Sequence, residues 1–250
     1  MQKIPLGIEP AAESLGLELR PGEAHYRAYV GPPDDYDLVA AMALGLLTIL
    51  GLRQQHRLLD IGCGSLRIGR LLIPYLNRGG YTGLEPNEWL VHEGIQSEVG
   101  QDLIDIKQPR FVYSDSASEL LAEGGKYDYL LAQSIFSHCG MDLLDQWLAQ
   151  ASGLLGESGA LVATYISSDT DTERRGWIYP ECVVFTSKTL DALARRHGLE
   201  FVPLDWHHPR QSWVVFAKPG FEADWYRDRR LSWNACFDRF NDRRQVHADV

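Results

Sequence analysis

The segment RLLDIGCGSLRIG, residues 57–69, decides the fold class, because an apolar strand pattern stops at Gly62-Cys63-Gly64 and a helical pattern follows it. Glycine lets the backbone turn tightly and approach a ligand closely. A helix that begins at Arg67 presents unpaired N–H groups in its first turn. An ordinary connection between a strand and a helix uses the same residues, so the neighbouring segments have to distinguish the two interpretations.

Short apolar runs alternate with segments of helical periodicity beyond this turn, which predicts parallel strands joined by crossover helices. The predicted strands are residues 57–62, 81–86, 110–115, 127–134, 160–166, 200–205 and 212–218. The predicted helices are residues 67–77, 87–99, 141–155 and 187–197, with Gly156 and Gly159 marking the return to a strand. The chain is therefore predicted to be an α/β protein with a Rossmann-like, seven-stranded, mostly parallel sheet.

The last two predicted strands are separated only by WHHPRQ, residues 206–211. A crossover helix needs a longer connection than this. We therefore expect these strands to form an antiparallel hairpin at the edge of the sheet, so that the last strand runs against the others.

Glu85 ends the second predicted strand, about twenty residues after the glycines, where a carboxylate is suited to both hydroxyls of a ribose. Taken alone, the same residue fits a solvated strand end. A dinucleotide-binding turn would place its third glycine at position 67, but Arg67 stands there and would crowd the packing of the helix on the strand. The sequence therefore disfavours NAD or FAD.

Four features in this order resemble class I S-adenosylmethionine-dependent methyltransferases. They are LDIGCG (59–64), Glu85, YSDS (113–116) after the third strand and YDYLLAQSIFSH (127–138) at the fourth. The resemblance covers roughly residues 55–218 and rests on the order and spacing of the motifs together. It implies a Rossmann-like fold, S-adenosylmethionine as the cofactor and S-adenosylhomocysteine as the product.

The resemblance assigns one group of residues to each part of the cofactor. The methionine portion would be surrounded by Asp60, Gly62, Cys63 and Gly64. The ribose hydroxyls would be bound by Glu85, which Pro86 follows. The adenine edge would be bound by Asp115 and the backbone of Ser116, and the sulfonium would lie beside Gln133 and Ser134. Without the other motifs, Asp115 would be interpreted as a carboxylate that caps a turn.

One position departs from the family pattern. The family often has a further glycine two residues after the second, and here Leu66 occupies that place. Contacts with the amino-acid end of the cofactor would then differ, and Ser65 or Arg67 would supply compensating polar contacts.

Three predicted loops follow strands at the carboxyl edge of the sheet, where ligands bind in open α/β sheets: residues 133–141, 167–183 and 206–211. His138 in the first is a candidate general base, because an imidazole titrates near neutral pH. Many methyltransferases place a histidine here without using it as a base. The candidate substrate-binding residues in the other two loops are Arg174, Arg175, Trp177, Tyr179, His207 and His208. A solvated hairpin tip explains the last two equally well.

The predicted domain organisation has three parts: an N-terminal helical cap over residues 1–56, the cofactor-binding domain over 57–219 and a C-terminal extension over 220–250. The apolar stretch 38–52 is interrupted by glycine and too short to cross a bilayer, so it predicts a core-packed helix. Tyr29 or Tyr36 in the cap would contact the cofactor or the substrate.

The formal net charge of −10 repels phosphate backbones and anionic lipids, so neither nucleic acid nor membrane is an expected partner. The four cysteines are Cys63, Cys139, Cys182 and Cys236, and their spacing fits no zinc site, so no metal is expected. The first residues lack a secretory signal. We interpret the thiols as reduced and the location as cytoplasmic; the oligomeric state stays open.

The favoured function is methyl transfer to a small-molecule acceptor, at oxygen rather than nitrogen. Two alternatives stay open: a protein that binds S-adenosylmethionine without catalysis, and a nicotinamide-dependent oxidoreductase on a similar sheet. The fourth strand is followed by Ala132-Gln133-Ser134-Ile135 and not by the N-P-P-Y-like tetrad of amino-directed nucleic-acid enzymes. Protein acceptors also stay open.

Overall fold

The computed structural model describes residues 15–222, in which seven strands alternate with α-helices. The strands are β1 (Leu58–Ile61), β2 (Tyr81–Leu84), β3 (Arg110–Val112), β4 (Tyr127–Ala132), β5 (Leu155–Tyr165), β6 (Glu200–Leu204) and β7 (Ser212–Ala217). The helices are α1 (Tyr36–Ile49), α2 (Gly69–Tyr75), α3 (Glu88–Gly94), α4 (Gln101–Lys107), α5 (Ser118–Ala122), α6 (Met141–Leu154) and α7 (Ser187–Arg196).

All seven strands belong to one sheet, in the order β3-β2-β1-β4-β5-β7-β6. The pairings among β1 to β5 are parallel, whereas β7 runs antiparallel to both β5 and β6. This confirms the predicted Rossmann-like, mostly parallel sheet with a reversed last strand. The structure adds that β7 inserts between β5 and β6, so the strand at the edge is β6. The chain direction reverses at the short 206–211 loop, which thereby joins the carboxyl end of β6 to β7.

The strand after α6 begins earlier than the sequence pattern predicts. β5 already pairs with β4 at Leu155, opposite Tyr127, and the next pair is Ala160 with Tyr129. The register therefore contains an irregularity in which extra residues of β5, including Gly156 and Gly159, bulge between the two pairs. A side chain at position 159 would approach the carbonyl oxygens of Tyr127 and Asp128 at 3.1 Å, which explains the glycine.

Two apolar layers cover the two faces of the sheet. The residues of α5, α6 and α7 pack in one buried cluster with the side chains of β4 and β5 that point to that face, such as Leu130 and Leu161. The residues of α1 and α2 pack in a second cluster with alternate side chains such as Leu131 and Val162. Because successive strand residues point to opposite faces, both clusters draw on the same strands.

Two short helices escaped prediction from the sequence. α4 and α5 are only seven and five residues long, so neither repeats an apolar pattern often enough to be recognised. The predicted helix 87–99 continues from α3 into a π-helical turn over Ile95–Val99. Within residues 15–222, no helix combines the length and apolarity required for a membrane span.

The described part of the predicted cap consists of turns over residues 15–32, a 3₁₀ turn at Pro33–Asp35 and α1. Buried ion pairs join it to the sheet domain: the Arg27 guanidinium pairs with Glu98 at 2.5 Å, and Arg70 of α2 pairs with Glu98 and with Asp37. The three-part domain organisation stays a prediction. Residues 1–14 of the cap, and residues 223–250 of the predicted extension with Cys236, lie outside the described residues.

Candidate functional site

The glycine turn after β1 adopts the left-handed backbone that its residues favour. Gly62 has φ +67° and Gly64 has φ +53°. A side chain at position 62 would meet Ile135 Cδ1 at 2.1 Å, and one at position 64 would meet Val30 Cγ1 at 2.7 Å. The turn therefore requires glycine both for its backbone conformation and for the close approach of the loop after β4 and of the cap.

Glu85 connects this turn to the end of β2. Its side chain is buried, and Oε2 accepts a hydrogen bond from the Gly64 amide at 3.1 Å. Oε1 accepts from the backbone amide of Asn87 at 2.9 Å and from its side-chain amide at 2.7 Å. A carboxylate has about four lone-pair positions. Three donors leave room for another on the same carboxylate, so the predicted ribose partner is held in place and retains acceptor capacity.

Leu66, which stands where the family often has glycine, keeps the backbone conformation of a glycine. Its φ is +59°, in the left-handed region that costs a side-chain-bearing residue about 1 kcal/mol. Burial offsets this cost, since Leu66 is fully buried in the core between the sheet and α2. The preceding Ser65 is bonded to the cap, because the Tyr36 hydroxyl donates to its carbonyl oxygen at 3.0 Å.

Asp60 lies inside β1, two residues before the turn. Its carboxylate is buried and accepts a hydrogen bond from the Tyr81 hydroxyl at 2.8 Å. Burial raises its pKa from 3.8 to about 7, against the opposing effects of the Tyr81 hydrogen bond and the charge of Arg67. Cys63, in the turn itself, is also buried, and burial raises the pKa of its thiol.

The predicted adenine-binding residues lie in the turn after β3. Asp115 is exposed, whereas the Ser116 amide donates to Ser114 Oγ at 3.1 Å. The side chain of Gln150, from α6, donates to Ser116 Oγ at 3.2 Å and accepts from the Ala117 amide at 3.2 Å. Pro86 is exposed after β2. The turn is thus fixed by α6 and leaves the Asp115 carboxylate in contact with solvent.

Gln133 and Ser134 follow β4, and a buried arginine meets them. The Arg67 guanidinium donates through Nη2 to Gln133 Oε1 and through Nη1 to the Val30 carbonyl oxygen at 3.1 Å. Gln133 Nε2 donates to Ser134 Oγ at 2.5 Å and lies 3.1 Å from His208 Nε2. The glycine turn, the end of β4, the cap and the β6–β7 loop therefore converge on one site.

His138 ends a 3₁₀ turn over Phe136–His138 that follows β4. Its Nδ1 lies 2.7 Å from the carbonyl oxygen of Glu181, which can only accept, so Nδ1 carries the proton. Burial lowers the pKa of the ring, which favours the neutral form at neutral pH. The neutral ring then has an unprotonated Nε2, the form that a general base requires.

Aromatic rings surround His138. Its ring centroid lies 5.6 Å from that of Trp177 and 4.9 Å from that of Tyr179. Tyr179 also lies 5.6 Å from Tyr29 of the cap, and Tyr29 lies 5.3 Å from Trp89 of α3. The Tyr179 hydroxyl donates to the Tyr29 carbonyl oxygen. Two predicted substrate residues, Trp177 and Tyr179, therefore join the candidate base to the cap, and Trp177 remains 53% exposed.

The other predicted substrate residues divide into two groups. Arg174 pairs with Glu181, and Arg175 pairs with Asp142 at 3.3 Å, both on exposed side chains, so the structure does not bring these guanidinium groups to Gln133. His208 does reach Gln133, and the adjacent His207 accepts a hydrogen bond from Trp213 at its carbonyl oxygen. A pocket of about 330 Å³ lies against this loop. It is lined by Leu204, Asp205, Trp206, His207, His208, Gln211 and Ser212.

Two residues of the site were not singled out from the sequence. Gln211 donates through Nε2 to Ser134 Oγ at 3.1 Å and to Ser137 Oγ at 3.3 Å. Asn87 holds the Glu85 carboxylate. The signal for Asn87 was present, because an Asx residue shortly after a strand often bonds the neighbouring chain. Nothing comparable marks Gln211, since its role depends on how β7 folds back against β5.

Comparison with known proteins agrees with this geometry. The profile of a family described as a methyltransferase domain matches residues 59–161. A magnesium protoporphyrin IX methyltransferase from Synechocystis PCC 6803, solved with S-adenosylmethionine, is 13% identical, with a TM-score of 0.58 over 84% of this chain and 92% of that chain.

Two further structures share the fold. A 1,6-didemethyltoxoflavin-N1-methyltransferase from Burkholderia thailandensis, solved with 1,6-didemethyltoxoflavin and S-adenosylhomocysteine, is 20% identical, with a TM-score of 0.54 over 74% of this chain and 80% of that chain. A methyltransferase from Streptomyces caelestis is 17% identical, with a TM-score of 0.53 over 75% of this chain and 97% of that chain.

Proposed function

Because the chain carries a methyltransferase domain of the S-adenosylmethionine-dependent class I family, we propose that it transfers the methyl group to an oxygen atom of a small-molecule acceptor. The observation that carries the proposal is the bond between Glu85 and the Gly64 amide, which holds the glycine turn and the strand-end carboxylate together. A small molecule is also the substrate of the similar didemethyltoxoflavin methyltransferase. The acidic net charge of −10 supports an acceptor other than nucleic acid.

The cofactor supplies a methyl group that is electrophilic because it is bound to a sulfonium. The residues of this chain have to bind it, align the acceptor and exclude water. In the proposal, Glu85 accepts hydrogen bonds from the ribose hydroxyls, Asp115 meets the adenine edge, and the loop at Gln133 and Ser134 lies beside the sulfonium. Trp177 and Tyr179 would hold the acceptor next to His138. The contacts of Leu66 leave the polar interactions at the amino-acid end to other residues.

A hydroxyl acceptor is favoured by the state of His138. A hydroxyl has to lose its proton as the new oxygen–carbon bond forms, whereas an uncharged amine can attack through its own lone pair. The Glu181 carbonyl fixes the Nδ1–H of His138, so Nε2 is available to take the hydroxyl proton. Burial keeps the ring uncharged, so it does not carry a proton of its own at neutral pH.

Glu85→Gln tests the cofactor site by isothermal titration with S-adenosylmethionine. The change keeps the shape but replaces one charged acceptor oxygen, and a hydrogen bond to a charged group contributes about 1.5–3 kcal/mol, so affinity should fall by tenfold or more. Glu88→Gln is the control, since Glu88 is an exposed residue of the same segment. Equal affinity in the Glu85 variant and the parent would refute the proposed ribose contact.

The acceptor atom is tested with paired compounds such as 4-methylphenol and 4-methylaniline, by release of S-adenosylhomocysteine. We expect turnover in the phenol series and a kcat/KM that rises with pH through a pKa below 6.5, as burial of His138 dictates. His138→Gln should remove that titration, while His56→Gln, in front of β1 at the opposite edge of the sheet, should keep it. Turnover of amines alone would contradict the choice of oxygen. Cofactor binding without turnover of any acceptor would indicate a binding protein.

The proposed location is the cytoplasm. It is supported by the free thiols of Cys63, Cys139 and Cys182 in the described part of the chain, since disulfides are rare in reducing compartments.

A further inference from the structure

Three hydrogen-bonding side chains beside the proposed cofactor site are short of an acceptor; we name Arg67, Gln133 and His208 the donor cluster. Arg67 follows the glycine turn, Gln133 follows β4, and His208 belongs to the β6–β7 loop. They connect in a row, from the Arg67 guanidinium to Gln133 Oε1 and from Gln133 Nε2 to His208 Nε2 at 3.1 Å.

His208 must carry its proton on the nitrogen that faces Gln133. Its Nδ1 accepts the backbone amides of Arg210 at 3.2 Å and Gln211 at 3.0 Å. A neutral imidazole that accepts at Nδ1 has its hydrogen at Nε2. Burial and the nearby charges of Arg67, His207 and Arg210 lower its pKa to about 4, so the ring is neutral at physiological pH. A donor of His208 therefore points at the amide nitrogen of Gln133, which is also a donor.

Turning the Gln133 amide does not remove this conflict. Its Oε1 accepts from Arg67 Nη2, and a turned amide would place the NH₂ group against the guanidinium instead. Ser134 Oγ gives no relief, because it already faces the NH₂ groups of Gln133 and Gln211. In either orientation, one donor of the cluster lacks an acceptor. Buried polar groups are nearly always paired, so this shortage is informative.

The charge of Arg67 is also uncompensated. Arg67 is buried, and it forms no ion pair with a carboxylate of residues 15–222. Two carboxylates are near enough for their charge to act on it, Asp60 and Asp35. Asp60 is bonded to the Tyr81 hydroxyl, and Asp35 pairs with Arg210 at 2.5 Å. A buried guanidinium of this kind is normally paired with an anion.

We propose that the donor cluster is a carboxylate-binding site, in which Arg67, the Gln133 amide and His208 Nε2–H donate to the two oxygens of one carboxylate. The carboxylate belongs either to the amino-acid end of the cofactor or to the methyl acceptor, and both sources share this chemistry. The inference rests on the proposed function for the identity of these two ligands. The charge imbalance and the hydrogen-bond shortage hold regardless of that function.

The first experiment supplies the missing acceptor from within the chain. Gln133→Glu puts a carboxylate between Arg67 and His208, so it should raise Tm by about 3 °C, corresponding to about 1 kcal/mol for a chain of this size. Gln150→Glu is the matched control, because that amide is already satisfied at both ends by Ala117 and Ser116, and the change should lower Tm. A lower Tm for Gln133→Glu, as for the control, would overturn the proposal.

The second experiment identifies the source of the carboxylate by titration of the full chain. One arm compares S-adenosylhomocysteine with 5′-methylthioadenosine, which lacks the amino-acid end. The other arm adds benzoate or the neutral benzamide to the chain saturated with S-adenosylhomocysteine. A cofactor carboxylate predicts that Arg67→Gln weakens only S-adenosylhomocysteine, by about tenfold; an acceptor carboxylate predicts that it removes only the preference for benzoate.

The outcomes separate this proposal from the proposed function. Arg67→Lys, which keeps the positive charge, should restore part of whichever preference is lost. If Arg67→Gln and Gln133→Glu alter neither preference, the carboxylate site is refuted even though the chain binds the cofactor. If the parent chain binds neither S-adenosylmethionine nor S-adenosylhomocysteine, the proposed function fails, while the sign of the Tm change in Gln133→Glu still tests the donor cluster.

Discussion

Arg27 in the cap and Arg67 after the glycine turn are equally buried, with 7% of each residue exposed, but their surroundings differ in one respect. Arg27 pairs with Glu98 at 2.5 Å and with Asp37 at 3.5 Å. Arg67 has a carbonyl and an amide oxygen as its partners. The pKa shifts follow: the Arg27 pKa is raised despite the effect of burial, and burial lowers the Arg67 pKa.

This difference distinguishes a structural charge from one that is available to a ligand. We name Arg27, Asp37, Arg70 and Glu98 the ion clamp; its opposite charges satisfy one another and join the cap to α2 and the π-helical turn. The donor cluster is incomplete by itself. Natural proteins break the rules of hydrogen bonding and charge pairing mainly at functional sites, so the incomplete cluster is where a ligand is expected.

The largest effect should follow from removing the anion of the ion clamp. Glu98→Gln leaves two guanidinium groups without their shared buried partner, and loss of one member of a buried ion pair costs about 3–5 kcal/mol. We expect the free energy of unfolding in urea to fall by that amount.

An exposed pair provides the control for this measurement. Glu123→Gln breaks the pair with Arg110, in which both side chains are more than 40% exposed, and such pairs contribute about 0–1 kcal/mol. If Glu98→Gln were no more destabilising than Glu123→Gln, the ion clamp would not be what stabilises the cap.

The fold could be predicted because its signals are local. The apolar runs of β1, β4 and β5 and the helical period of α6 follow directly from the spacing of apolar residues. The shortness of the 206–211 loop forced the reversal of β7. The insertion of β7 between β5 and β6 could not be predicted, because that order depends on pairing between distant strands and not on any local pattern.

The site was predictable in part for the same reason. Gly62, Gly64 and Glu85 lie at turns with a known backbone requirement, and the structure places Glu85 on Gly64. The donor cluster instead combines segments that are separated by up to 141 positions, Arg67 and His208. Arg174 and Arg175 were singled out because two arginines lie next to an aromatic residue, but their partners Glu181 and Asp142 were not evident from that run of sequence.

A smaller effect concerns Asp60, the carboxylate closest in role to a partner for Arg67. An ion pair with Arg67 would lower its pKa, but burial raises the pKa to about 7. A folded-state pKa above the unfolded value of about 3.9 means that Asp60 contributes its full stability below pH 4 and loses that contribution as the pH rises through 7. Asp60→Asn should abolish this loss.

The measurement is urea unfolding of the parent and of Asp60→Asn at pH 4.5 and pH 8. The variant should gain stability relative to the parent between these two values, on the order of 3 kcal/mol, from a shift of that many pKa units. A difference between the two proteins that is the same at both pH values would mean that Asp60 stays ionised and pairs with Arg67, which would remove the contrast with the ion clamp.

The smallest effect on stability should come from Arg67 itself. In Arg67→Met the Gln133 amide is released from the guanidinium, so it can turn and accept the Nε2–H of His208, which ends the conflict between donors. The lost bond to the Val30 carbonyl is then offset by removal of an unpaired buried charge, and the free energy of unfolding should change by no more than about 1 kcal/mol. Arg27→Met, which has the same exposure but removes a partner of Glu98, should cost about 3 kcal/mol in the same urea titration. Equal losses in the two variants would show that Arg67 is as much a structural charge as Arg27, and the shortage of acceptors around it would then have to be satisfied within the folded chain.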